Sequence, residues 1–133
     1  MKKQKKILKK TIIKREKRIL RKEYKEKYAI WVKAVKERDN YTCQISGKYL
    51  KDADPRALQA AHILSKENYP ELQFDVMNGI SLSYYYHKNA PISSHLDGFA
   101  FTEWFKNKFP DRYEYLLKKL KDIQNEKIHL INS

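Results

Sequence analysis

The reading of this chain turns on one stretch: Leu58-Gln59-Ala60-Ala61-His62-Ile63, then Phe74-Asp75-Val76-Met77-Asn78-Gly79-Ile80-Ser81-Leu82, then Tyr86-His87-Lys88 and, a little further on, His95. Three of the four histidines fall inside it. Residues 58–64 read as a strand that leaves His62 near its end. Residues 65–75, with Asn68 and Pro70, read as a loop rich in turn formers. Asn78-Gly79 reads as a tight turn into a second strand over residues 80–83. From Tyr84 the chain is predicted to be helical for about two turns, until Pro91 stops it.

Working outward towards the N-terminus, residues 1–38 contain no Gly or Pro and read as one long helix. Apolar residues recur at Leu8, Ile12, Ile13, Ile19, Leu20, Tyr24, Tyr28, Trp31, Val32 and Val35, roughly along one helical face. The stripe is sparse up to Ile19 and dense from Leu20. The last part of the helix is therefore expected to dock on the body, and the first part to project or to order on a partner. After Arg38-Asp39-Asn40 a short hairpin-like segment runs from Tyr41 to Lys48, turning at Ser46-Gly47. Asp52-Ala53-Asp54-Pro55 is a polar loop. In the other direction, Gly98 punctuates the chain and Thr102 is expected to cap a helix containing Trp104 and Phe105. A further helix after Pro110-Asp111 carries Tyr113, Leu116, Leu117, Leu120 and Ile123 at helical spacing.

Length and charge bound the function. At 133 residues the chain has room for one modest core. Its net charge of +13 calls for a polyanionic partner. Residues 1–27 hold fourteen Lys or Arg against three Glu, a net of +11, which leaves +2 for the rest. The chain thus divides into a cationic arm and a nearly neutral body. Lys2, Lys3, Lys5, Lys6, Lys9, Lys10, Lys14, Arg15, Lys17, Arg18, Arg21 and Lys22 are the candidate nucleic-acid contacts, suited to neutralising phosphates without reading sequence. A membrane-surface helix would need a thicker apolar stripe than this arm has early on. No apolar run reaches the roughly 18 residues of a membrane span, and the basic N-terminus lacks a signal-peptide core. The single cysteine, Cys43, excludes an internal disulfide framework and fits a reducing cytosol, bacterial or phage-infected.

Several pieces occur in a telling order: Arg38-Asp39-Asn40-Tyr41-Thr42-Cys43-Gln44, the His62 strand, Phe74-Asp75 with Asn78-Gly79-Ile80-Ser81-Leu82, His87 nine residues after Asn78, and Phe101-Thr102-Glu103-Trp104-Phe105. Over residues 38–121 this series resembles the HNH endonuclease family, especially its short phage and bacterial members. The resemblance implies an α+β fold with a ββα-metal (His-Me finger) core, flanking helices and the long basic N-terminal helix. It divides the chain into an arm, 1–38, and an HNH-like nuclease domain with C-terminal helices, 39–133.

By the same resemblance, His62 is the general base that takes a proton from the water attacking the scissile phosphorus. A histidine suits that task because its ordinary pKa leaves it mostly neutral in a cytosol. Asn78 braces the loop that aims His62, or binds the metal as in some variants. His87 binds one divalent ion, Mg²⁺ or Mn²⁺. His95 is the candidate second ligand, Asp97 a further one, and Asp75 is expected to cap its loop. Two positions depart from the family pattern. Ala61 stands where many members carry a ligand just before the base, and Pro91 stands where some carry another His. Cys43, Ser46, Ser83 and Tyr86 occupy the usual zinc positions, and one thiolate cannot build a tetrahedral zinc site. No structural zinc is expected. Tyr84, Tyr86, Trp104 and Phe105 are expected to fill the space, with Cys43 a small buried hydrophobe.

The implied function is a metal-dependent DNA endonuclease leaving 5′-phosphate and 3′-hydroxyl ends. Its alternative is a non-catalytic nucleic-acid-binding or regulatory module on a degenerate HNH fold. A basic arm does not distinguish DNA from RNA, so an RNA- or ribosome-associated role also stands. Whether the chain acts as a monomer or in a larger complex is left open.

Overall fold

The computed structural model describes residues 2–93 and 95–132; Met1, the first residue expected in the arm, lies outside them. Helix α1, Lys2–Arg38, runs for 37 residues without a break, about 55 Å at 1.5 Å per residue. Nothing in it stops a helix, and Lys36 and Arg38 sit in its last turn, where cations oppose the carbonyl end. The stop is conformational. Asn40 and Tyr41 both adopt left-handed backbone, φ 52° and 51°, and the Tyr41 N–H closes back on the Lys36 carbonyl at 2.8 Å. Residues 41–50 then form the expected small hairpin, bridged between Thr42 and Tyr49 and turned at Gly47 with φ 76°.

Strands β1, Leu58–His62, and β2, Gly79–Ser83, pair antiparallel in the register Leu58 with Ser83, Ala60 with Ser81 and His62 with Gly79. The two faces of this ribbon bury different partners. Ala61, Ile80 and Leu82 join Cys43, Phe101, Phe105 and Leu116 in the main core. Small residues, Ala60, Gly79 and Ser81, mark the part of the ribbon that receives the end of α1. Trp31 and Val35 pack with Ala60, the Ser81 hydroxyl reaches the Val35 carbonyl, and a Cβ on Gly79 would collide with Val35 Cγ2.

Arg38 locks the docking. Its guanidinium donates to the Val76 carbonyl at 2.6 Å and the Gly79 carbonyl at 2.7 Å, and forks onto the carboxylate of Asp39. Asp39, 8% exposed, in turn accepts from the Ser81 N–H at 2.8 Å. A buried carboxylate with a guanidinium and a backbone donor is fully partnered, which is what makes its burial tolerable.

The Asn78-Gly79 expectation is corrected. Asn78 ends a 3₁₀ turn, Val76–Asn78, and Gly79 is already extended at φ −121°. The glycine is there to let α1 approach, not to turn the chain. After β2 the backbone makes a single π-helical turn, Tyr85–Asn89, sealed by the Ala90 N–H on the Tyr85 carbonyl at 2.7 Å. The predicted helix is thus shorter and wider than two α turns.

Helix α2, Gly98–Lys108, starts earlier than predicted and is capped by Asp97, whose carboxylate accepts from the Ala100 N–H at 3.0 Å. Thr102 is inside this helix, its hydroxyl spent on the Gly98 carbonyl. Phe109 breaks the helix, and Pro110 opens α3, Pro110–Asn132. The architecture is mixed helix with a small two-stranded antiparallel sheet, an α+β arrangement. Of the aromatics expected around Cys43, Phe105 is buried and Tyr86 and Trp104 pack against the core. Tyr84 does not; it is 49% exposed. Cys43 itself is buried, accepting from the Ser46 N–H at 3.4 Å and lying 3.7 Å from the Ser83 hydroxyl. Among the described residues, no helix is long and apolar enough to cross a membrane.

Candidate active site

His62 is the last residue of β1, and its ring is held on two sides. Trp31 of α1 stacks on it with ring centres 4.2 Å apart and planes 8° from parallel. Its Nε2 lies 2.9 Å from the Gln73 carbonyl. A carbonyl can only accept, so in the neutral ring Nε2 carries the hydrogen and Nδ1 keeps the lone pair. Burial lowers the pKa of His62; the Gln73 carbonyl pushes it back up, Lys66 lowers it and Glu67 raises it. The net shift is downward, which favours the neutral ring with its lone pair on Nδ1.

Asn78 is wholly buried and bonded through both ends of its amide. Its Oδ1 accepts from the Leu64 N–H at 2.7 Å, and its Nδ2 donates to the carbonyls of Leu64 and Leu72 at 3.0 and 3.1 Å. It ties the end of β1 to the start of β2 and clips the loop between them. A buried amide with every group paired is rigid, and this one holds the chain at Leu64, two residues past His62. Asp75 caps the same turn through the Met77 N–H, and its other oxygen accepts from the Tyr115 hydroxyl at 2.8 Å.

His87, in the π-helical turn, is half-buried and aimed by β1. Its Nδ1 lies 2.6 Å from Gln59 Oε1, and its Nε2 lies 3.0 Å from Nε2 of His95. Burial, with the neighbouring His95, Lys88 and His62, lowers the His87 pKa to about 4. His95 comes from the exposed loop before α2, and the two rings meet edge-on at 4.5 Å. The two imidazole nitrogens, 3.0 Å apart and within hydrogen-bond distance, are close enough to share one cation. Among the described residues, no group of three or more His, Cys, Asp or Glu gathers to hold a metal. The pair would supply two imidazole donors to a divalent cation and leave its remaining positions to other ligands. Asp97, the further candidate, is engaged as the α2 cap.

His62, His87 and His95 line one open cleft of about 370 Å³, together with Tyr28, Ser65, Lys66 and Phe101. The arm cations are not in it. Lys2, Lys3, Lys5, Lys6, Lys9, Lys10, Lys14, Arg15, Lys17, Arg18, Arg21 and Lys22 all lie exposed along α1, which meets the site through Tyr28 in the cleft wall and Trp31 on the His62 ring.

Sequence reasoning missed three contributors: Trp31, Gln59 and Lys66. For Trp31 the dense apolar stripe announced docking but not the docking partner. For Gln59 and Lys66 no local pattern marked them. In comparisons with protein-family models, curated proteins and solved structures nothing matches this chain.

Proposed function

We propose that the chain is a metal-dependent DNA endonuclease built on a ββα-metal core of the HNH type. The supporting observation is the convergence of His62, His87 and His95 on one cleft, with a hydrogen bond fixing the proton position on each of the first two rings. His62 takes the proton of the attacking water on Nδ1, since Nε2 is committed to the Gln73 carbonyl. Trp31 and Asn78 keep that ring and its strand end in place, so the base is pre-aimed rather than recruited. Lys66 at the cleft wall steers the phosphate. His87 and His95 would hold the Mg²⁺ or Mn²⁺, which when bound neutralises charge on the phosphate and the departing 3′-oxygen. The products carry 5′-phosphate and 3′-hydroxyl ends. The arm supplies sequence-independent phosphate contacts on DNA, or on RNA, in a reducing cytosol.

A second reading is a binding or regulatory module on a degenerate fold. It is favoured by Ala61 and Pro91, which stand where a ligand and a further His are common in the family. Supercoiled plasmid with Mg²⁺ or Mn²⁺, beside EDTA and His62→Ala controls, separates the two. The enzyme reading expects nicking that EDTA abolishes and that His62→Ala reduces by about 10²–10⁴-fold. DNA binding without nicking in either metal establishes the second reading.

A further inference from the structure

The His87 ring is oriented by a side chain that no role yet explains. Gln59 lies on β1 opposite Leu82, 28 residues before His87. Its amide is not free to flip. Nε2 sits 3.3 Å from the Arg56 carbonyl, which can only accept, so the NH₂ end must face Arg56 and Oε1 must face His87. Oε1 meets His87 Nδ1 at 2.6 Å, so in the neutral ring that nitrogen carries the hydrogen and Nε2 carries the lone pair. Nε2 is the atom directed at His95 in the cleft. The Arg56 carbonyl thus orients the amide, and the amide oxygen takes the Nδ1–H of the neutral ring, which leaves Nε2 on the side of the cleft. Histidines that ligate metals characteristically donate their other N–H to such an acceptor, which raises their basicity and limits their rotation.

We propose that Gln59 is the positioning residue of the metal half of the site: it holds His87 as the Nδ1–H tautomer and presents Nε2 to a divalent cation. The cation part rests on the endonuclease reading; the tautomer part does not. Gln59 makes His87 the anchored ligand, and His95, exposed on its loop, the adjustable one.

The test uses the full chain with ¹⁵N-labelled histidine, together with Mn²⁺ titration followed by paramagnetic relaxation. In the metal-free wild type, His87 is expected to show a pyrrole-like Nδ1 and a pyridine-like Nε2. Gln59→Leu is expected to release the ring towards the Nε2–H form preferred in water and to weaken Mn²⁺ binding by about 10–100-fold. Gln59→Glu keeps an acceptor at the same place and is expected to retain the tautomer and bind Mn²⁺ at least as tightly. An Nε2–H form in the wild type overturns the proposal, and so does wild-type Mn²⁺ affinity in Gln59→Leu. If Gln59→Leu loses spectral dispersion, the Glu variant decides: a fall in its Mn²⁺ affinity overturns the proposal. A wild type that takes up no Mn²⁺ overturns the cation half. A wild type that binds Mn²⁺ with the stated tautomer yet nicks nothing sinks the nuclease reading alone.

Discussion

Helix α1 is one element with two different jobs. Residues 2–30 contain no buried side chain, and Ile7 and Leu20 are each 63% exposed. From Trp31 onward the situation inverts: Trp31 is 2% exposed and Val35 is fully buried. The outer stretch stays helical because the docked end supplies the costly nucleus and good helix formers propagate from it. Its content is charge. The docked stretch carries shape, since it brings an indole against His62 and a guanidinium against two loop carbonyls. The outer stretch also reaches the body at Tyr24, whose ring meets Phe74 at 5.7 Å and whose hydroxyl accepts from Lys66 at 3.4 Å. The aromatic run Tyr24, Tyr28, Trp31, His62 leads from the exposed stretch to the cleft, at successive ring separations of 6.1, 5.8 and 4.2 Å.

The largest effect should come from removing the docked indole. Trp31→Ala deletes a buried indole and its 2.8 Å hydrogen bond to the Asp75 carbonyl. Urea unfolding is expected to show a destabilisation of about 3–5 kcal/mol. Trp31→Phe keeps a ring over His62 without the hydrogen bond, so it should cost about 1–3 kcal/mol. A Trp31→Ala protein as stable as the wild type would show that the docked stretch contributes no more than the outer one.

A smaller effect is expected at the receiving surface. A Cβ on Gly79 collides with Val35 Cγ2 and lies 2.7 Å from Trp31 Cζ2. Gly79→Ala should cost about 1–3 kcal/mol by overpacking. The penalty should shrink in a Val35→Ala background, since neighbours that touch one another are not additive. Equal penalties in both backgrounds would mean that the glycine serves something other than the approach of α1.

These two positions show what the sequence could and could not disclose. His62, Asn78, His87 and His95 were singled out by their order and by the resemblance it carries, and the structure lines one cleft with the three histidines. Docking of the later part of α1 was legible from its apolar spacing. Trp31 as the partner of His62 was not, because that pairing spans the chain from α1 to β1 and follows no local period. Gln59 was not, because a polar residue on a half-buried strand looks solvent-facing until the π-helical turn folds over it. Asn78-Gly79 read as a turn because that dipeptide usually serves there; here packing of α1 on Gly79 is the stronger constraint. Thr102 yielded to Asp97 as the α2 cap because either side chain can cap, and only the helix start decides between them.

Acid should act on the body and spare the arm. Burial lowers the pKa of both His62 and His87, the latter to about 4, against an unfolded value of 6.5. As pH falls below 6.5 the unfolded chain takes up these protons first, so stability declines from there down to about pH 4. Both rings are partly exposed, and after allowance for solvent screening the expected decline by about pH 5 is about 1–2 kcal/mol. His87→Gln should flatten this dependence, measured by urea unfolding across the range. A wild type whose stability is level from neutrality to about pH 5 would mean that neither ring is held in its neutral form by the fold.

The smallest effect on stability, and a large one on binding, is expected from deleting residues 1–18. Residues 2–18 belong to no core cluster, so the urea midpoint should correspond to a change within about 0.5 kcal/mol. DNA affinity should respond differently. The segment carries ten Lys or Arg and one Glu. Each phosphate that a deleted cation would have neutralised takes about 0.9 from the slope of log affinity against log salt. The shortened protein should therefore bind more weakly at low salt and with a flatter slope, while the stacking of Trp31 on His62 persists in its fluorescence. An unchanged slope would take the arm out of DNA binding. A flattened slope without Trp31 stacking would show that the deleted segment also holds His62 in place, and the division of α1 into charge and shape would fail.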